Sequence, residues 1–280
     1  MSVENKQIPD PKQLPYLLNL LDDESADIRS EIVRHLTSFG PLLKSELAKL
    51  PLEIVQSRAM LLEKILLELD RESMMQKWGT WQNATIDLEK LENALSILAD
   101  FQSGLRLQYQ ARAIAPLLDQ LAAEYLAYAK TTDPLELSKF LFEVKGFSGA
   151  KTDYYNPQSS NMLYVLHEKK GLPISLSCLL MLVGARVGFV IEGYNNPGHF
   201  MAKFDFNGKT YVVDGFNGGK VLEEHEAVKN IEGPEVSPAP VSARGIVRRV
   251  LNNLINAYQA QGENGHQQLM IDLYRMIQEE

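Results

Sequence analysis

Between Pro173 and Val187 the chain reads PISLSCLLMLVGARV, and Ile174, Leu176, Leu179, Leu180, Leu182, Val183 and Val187 fall nearly all round a helical cylinder. A surface helix keeps a polar face, so this pattern demands a helix enclosed by the rest of the fold. Its ends are marked too: Gly171 breaks the preceding helix, Pro173 suits a first turn and Gly188 stops it. The remaining chain has to supply the walls around this one element.

Two apolar segments follow, Phe189–Tyr194 and Phe200–Phe206, then a third, Thr210–Val213, after the dipeptide Asn207-Gly208. That order predicts strand, strand, tight hairpin turn, strand. His199 then opens the middle strand, directly after Asn195-Asn196-Pro197-Gly198, and Asp214 ends the next one. Antiparallel pairing predicts that the two stand side by side. A hydroxyl or thiol in the first turn of a buried helix, with His and Asp on neighbouring strands, is the layout of nucleophile, base and orienting carboxylate. Main-chain N–H groups and the dipole at the helix start would favour a thiolate or a developing oxyanion.

The motifs GLPISL at 171–176, PGHF at 197–200 and DGFNGG at 214–219 occur in that order. Together with DYYNPQSSNMLYVLHEKKG at 153–171, they resemble the transglutaminase-like superfamily, in particular its bacterial SirB-type branch, from Leu91 to Tyr274. The resemblance implies a papain-like core. In its active members a Cys begins the buried helix, whereas here Ser175 occupies that region and Cys178, the sole cysteine, lies nearly one turn deeper. Gly215 stands where the family has Pro after the Asp, a change expected to loosen the turn. The candidate catalytic residues are therefore Ser175, Cys178, His199 and Asp214, with Ser175 and Cys178 as alternative nucleophiles and a helix-start hydroxyl without chemistry as the third reading. Asp153, Tyr154 and Tyr155 either line the site or pin their loop.

The flanking segments read as helices. Leu14–Leu21 and Ile28–Phe39, separated by Asp22-Asp23-Glu24-Ser25, resemble a HEAT-type pair or form an ordinary helical hairpin. Helices are predicted over Leu42–Leu50, Leu52–Leu69, Asp87–Asp100, Arg112–Tyr128 and Leu135–Val144, then a loop over Phe147–Ser160 and a helix to Lys170. Trp78 and Trp81 are assigned to packing where helices meet. The stretch EGPEVSPAPVSARG at 232–245 has linker composition. Beyond it, Val247, Val250, Leu251, Leu254, Ile255 and Tyr258, a turn at Gly262–Gly265, and Leu269, Met270, Leu273, Met276 and Ile277 give a helix pair. That pair resembles the tetratricopeptide-like helices ending many family members, with Arg249, Asn252, Asn253 and Leu254 matching their RxxNNL pattern loosely.

Composition narrows the function classes. A formal net charge of −8 lacks the clustered Lys and Arg that a nucleic-acid surface requires. One cysteine excludes an internal disulfide and fits a reducing compartment. MSVENKQIPDPKQ has no apolar core for a signal peptide, and no run approaches the ~18 apolar residues of a membrane span, so a cytoplasmic location is expected. His35, His167, His199, His225 and His266 show no metal-ligand spacing, and no phosphate-binding glycine motif occurs, so neither metal nor cofactor is expected.

The expected fold class is α+β, mainly α. Its parts are an N-terminal helical region at 1–84 with the HEAT-like pair at 13–40, a transglutaminase-like core at 85–231 with a small antiparallel sheet, a linker at 232–245 and a helix pair at 246–280. The leading functional expectation is a module that binds a protein partner or regulates it, without strong catalysis. The alternative is acyl transfer or amide hydrolysis by a Ser/Cys-His-Asp triad.

Overall fold

The computed structural model describes residues 9–40, 42–103, 113–131, 133–196, 198–229 and 241–277. The chain falls into two compact units, Met1–Lys77 with Ser103–Gln108, and Trp78–Gln102 with Tyr109–Glu280. The fold is α+β and mainly α.

The first unit is helical. Helices α1 (Leu14–Asn19), α2 (Ala26–Ser38), α3 (Leu42–Leu47), α4 (Leu52–Gln56) and α5 (Ala59–Trp78) close around Leu18, Leu36, Leu43, Leu62 and Leu66. Ser25 caps α2 by accepting from the Ile28 N–H. The sequence predicts one helix over Leu52–Leu69. Instead a turn at Ser57-Arg58 separates α4 from α5, which continues to Trp78. Arg58 is engaged there, donating to the Leu18 carbonyl and pairing with Asp22.

In the second unit α6 (Asp87–Ser103), α7 (Ile114–Tyr128), α8 (Pro134–Lys139) and α9 (Met162–Glu168) precede α10 (Pro173–Arg186). Arg112, the expected start of α7, lies outside the described residues. The expected helix over Leu135–Val144 is α8 followed by one π-helical turn, Phe140–Val144. Within the expected loop 147–160, β1 (Ser148–Gly149) pairs in parallel with β2 (Lys170–Gly171), and Pro157–Ser160 forms a 3-10 turn. Such two-residue pairings have no sequence period to betray them.

Helix α10 is enclosed as its pattern requires: every residue from Pro173 to Gly184 is buried. It packs against α7, α8, α9 and the sheet. At its C-terminus the Arg186 guanidinium grips both carboxylate oxygens of Glu92 on α6, at 2.8 Å each, and Oδ1 of Asp119 on α7, at 2.6 Å.

The four-stranded antiparallel sheet has the order β3 (Glu192–Asn196), β4 (His199–Phe206), β5 (Lys209–Asp214), β6 (Lys220–Glu223). Asn207 and Gly208 both take positive φ, 50° and 75°, which is the turn the Asn-Gly dipeptide predicts. The first strand begins later than its apolar run. The Phe189 N–H is still bonded to the Gly184 carbonyl in the closing turn of α10, and Val190 is 80% exposed. The fourth strand, VLE after a lysine, is too short and polar to stand out in the sequence.

Helices α11 (Glu224–Lys229), α12 (Ala243–Gln261) and α13 (Asn264–Arg275) complete the described chain. Gly262 makes the turn between α12 and α13, while Gly265 already lies within α13. Most of the expected linker, 232–240, lies outside the described residues; its last residues belong to α12, which Ser242 caps. Trp78 and Trp81 are fully buried and meet edge to face, 5.8 Å between centroids. The Trp78 indole N–H donates to the Leu273 carbonyl of α13 at 2.9 Å.

Candidate active site

The sheet register brings His199 and Asp214 together. Ala202 faces Val213, so one step outward Met201 stands across from Asp214, and His199 is its diagonal neighbour on the same face. The pair is thus diagonal rather than directly opposite, a spacing that long side chains still bridge. His199 Nε2 lies 2.8 Å from Asp214 Oδ1. That separation is within hydrogen-bond range, and the contact with His199 is the strongest of those that favour the ionised Asp214 carboxyl.

Asp214 is buried, and its other partners come from its own turn. The Asn217 main-chain N–H donates to Oδ1 at 3.1 Å and the Asn217 carboxamide donates to Oδ2 at 2.7 Å. Burial opposes the charge on Asp214, but the contact with His199 and the two donations from Asn217 outweigh it and hold the carboxyl below its usual range. Phe216 follows in the same turn. Its ring meets the His199 imidazole edge to face at 6.1 Å and the Tyr154 ring at 6.1 Å, and Tyr154 in turn meets Tyr155 at 5.6 Å. Tyr154 therefore belongs to an aromatic chain ending on His199. Asp153 instead serves its loop, accepting from the Asn156 carboxamide.

A Cβ on Gly215 would stand 2.8 Å from the Phe142 ring and 3.1 Å from Leu176, so the glycine admits a close contact. Gly219, at φ 77°, meets Phe142 even more closely. Phe142, on the π-helical turn, is the wedge here, and no sequence pattern places it against this turn.

The candidate nucleophiles are held differently. Ser175, in the first turn of α10, is 2% exposed, and its hydroxyl donates to the Ser159 carbonyl at 3.1 Å. Cys178 is fully buried, and burial pushes its thiol up to about 12. Ser177, which the sequence reading passed over, lies between them. Its hydroxyl has the Pro173 carbonyl at 3.0 Å and the Phe200 carbonyl at 3.4 Å within reach, a bridge from α10 to the strand residue after His199. One hydroxyl has one proton, so it serves only one of them at a time. Neither Ser175 nor Cys178 makes a hydrogen bond to His199 among the described contacts. No three His, Cys, Asp or Glu side chains converge to hold a metal among the described residues.

A family model described as "Transglutaminase-like superfamily" matches residues 112–252, which include α10, His199 and Asp214. The chain belongs to the transglutaminase-like superfamily. Among its relatives, a UPF0162 protein of Xylella fastidiosa (strain Temecula1) is 31% identical over 204 residues, covering 64% of this chain and 69% of that protein. A UPF0162 protein of Vibrio cholerae is 26% identical over 142 residues, 49% of this chain and 52% of the relative. The mouse F-box only protein 21 is 30% identical over 148 residues, 48% of this chain but only 23% of that longer protein. No solved structure matches the chain. The transglutaminase-like match therefore covers the candidate site but stops short of α1–α6 and of α13.

Proposed function

We propose that this chain is a transglutaminase-like protein of the SirB-type branch that works as a binding or regulatory module in the cytoplasm rather than as an acyltransferase or amide hydrolase. The observation that carries this reading is the state of Ser175: its hydroxyl is buried and donates to the Ser159 carbonyl. A nucleophile must donate to its base and be open to a carbonyl carbon. The buried, protonated Cys178 thiol is no better placed. His199 and Asp214 keep their proximity, and in this reading the pair fastens the start of β4 to the end of β5. The helix pair at 13–40, with its likeness to a HEAT unit, precedes the core in sequence and the pair at 246–280, with its likeness to a tetratricopeptide unit, follows it; in this reading they are the parts that bind a protein partner.

The test is covalent labelling of the purified protein with a fluorophosphonate and with a thiol-directed acyl probe, comparing wild type with Ser175→Ala, Cys178→Ala and His199→Ala. The expected result is no label that depends on His199. A label lost both in one nucleophile variant and in His199→Ala would overturn the module reading and establish the triad.

A further inference from the structure

A cavity of about 480 Å³ opens between the start of β4 and the exposed side of α12. It falls within the range of about 300–1,000 Å³ usual for small-molecule sites. The two chain neighbours of His199 that line it are Gly198 and Phe200; α12 contributes Arg248, Arg249, Asn252 and Asn253. Arg248 and Asn252, and likewise Arg249 and Asn253, lie one turn apart, so Arg249, Asn252 and Asn253 of the loosely matched RxxNNL pattern meet in a single place.

The charge in this cavity is unbalanced. Arg249 is half-buried, its guanidinium lies over the Phe200 ring at 5.3 Å, and one of its nitrogens donates to the Asn195 carboxamide oxygen. Both partners are neutral, and no described salt bridge gives Arg249 a carboxylate. Arg248 is otherwise engaged, donating to the Tyr274 hydroxyl at 2.9 Å and lying over that ring. Withdrawing a guanidinium from water costs free energy unless an anion compensates it, and burial indeed pulls this group below its usual range. Asn252 and Asn253 offer N–H donors that add no charge. The half-buried Arg249 guanidinium, flanked by neutral amide donors and fixed on an aromatic face, suits a planar carboxylate, which its fork can take through two parallel hydrogen bonds.

We propose that this cavity is a carboxylate subsite, in which Arg249 takes the carboxylate of a peptide-like ligand, Asn252 and Asn253 donate to it, and the rest of the ligand leaves past Gly198 toward His199. The proposal goes beyond the module reading and stands whether or not the chain is catalytic, because it concerns binding alone.

The experiment is a titration of the full chain, followed by amide NMR shifts, with benzoylglycine, benzoylglycinamide, acetylglutamate α-amide and inorganic phosphate. Benzoylglycine should shift the Gly198 and Gly245 amides and bind at least tenfold more tightly than benzoylglycinamide, and Arg249→Gln should remove that preference. Acetylglutamate α-amide carries only a side-chain carboxylate, so its binding relative to benzoylglycine tells a side-chain source from a terminal one. Equal binding of acid and amide, no binding of either, tighter binding of phosphate, or an unchanged preference in Arg249→Gln would each overturn the subsite. Should Arg249→Gln not fold, the acid-against-amide comparison on wild type and on Asn252→Ala decides the matter.

Discussion

Phe142 fills the space that a side chain on Gly219 would need: a Cβ there would stand 2.5 Å from the Phe142 ring carbon Cγ's neighbours. The ring reaches the turn from the π-helical residues after α8, and the same ring blocks Gly215. The turn that sets Asp214 is thus shaped by a residue more than seventy positions earlier in the chain.

Gly219→Ala is expected to destabilise the protein by about 2–4 kcal/mol, since it adds overpacking to a backbone at φ 77°. Gly215→Ala should cost less, about 1–3 kcal/mol, from overpacking alone. Denaturant melts measure both. Combining each with Phe142→Leu should recover part of the loss, and strict additivity would show that the ring is not the obstacle.

Asp214 should make stability depend on pH in the acid range. Its carboxyl titrates below the usual value in the folded protein, so folding favours the ionised form. The resulting stabilisation is complete above the unfolded value of about 3.9 and is lost as pH falls through the lower folded value. Asp214→Asn should therefore be less stable than wild type at pH 7, and the gap should narrow below about pH 4. Urea melts across that range test it; parallel curves at every pH would exclude the carboxylate as the source.

Cys178 should not react with iodoacetamide in the native protein. Its sulfur is fully buried and its thiol is pushed up to about 12, so both access and thiolate are missing. Labelling in urea should be prompt and complete. Mass spectrometry under both conditions gives the answer, and rapid native modification would contradict the packing of α10.

Arg186→Lys should destabilise the second unit by about 1–2 kcal/mol, because an ammonium cannot reproduce the fork that holds both oxygens of Glu92 while reaching Asp119. The same change in a Glu92→Gln background should cost clearly less. Thermal melts of the four proteins would show the coupling, and an equal cost in both backgrounds would mean that the bidentate contact contributes nothing.

Much of this protein was settled by local sequence. The all-round apolar pattern at 173–187 produced a helix buried from Pro173 to Gly184, and Asn207-Gly208 produced a hairpin whose register follows from its two positive φ values. Both are short-range effects: period and turn chemistry act within a few residues. The hairpin also made the meeting of His199 with Asp214 legible, though as neighbours rather than as a diagonal pair. Tertiary structure alone decided the rest. The partner of the Ser175 hydroxyl is a carbonyl from another segment, the wedge under Gly215 and Gly219 is a ring from the π-helical turn after α8, and Arg249 meets Phe200 across the gap between α12 and β4. No period or motif carries those pairings, because they depend on which side chains long-range packing leaves within a few ångströms of one another.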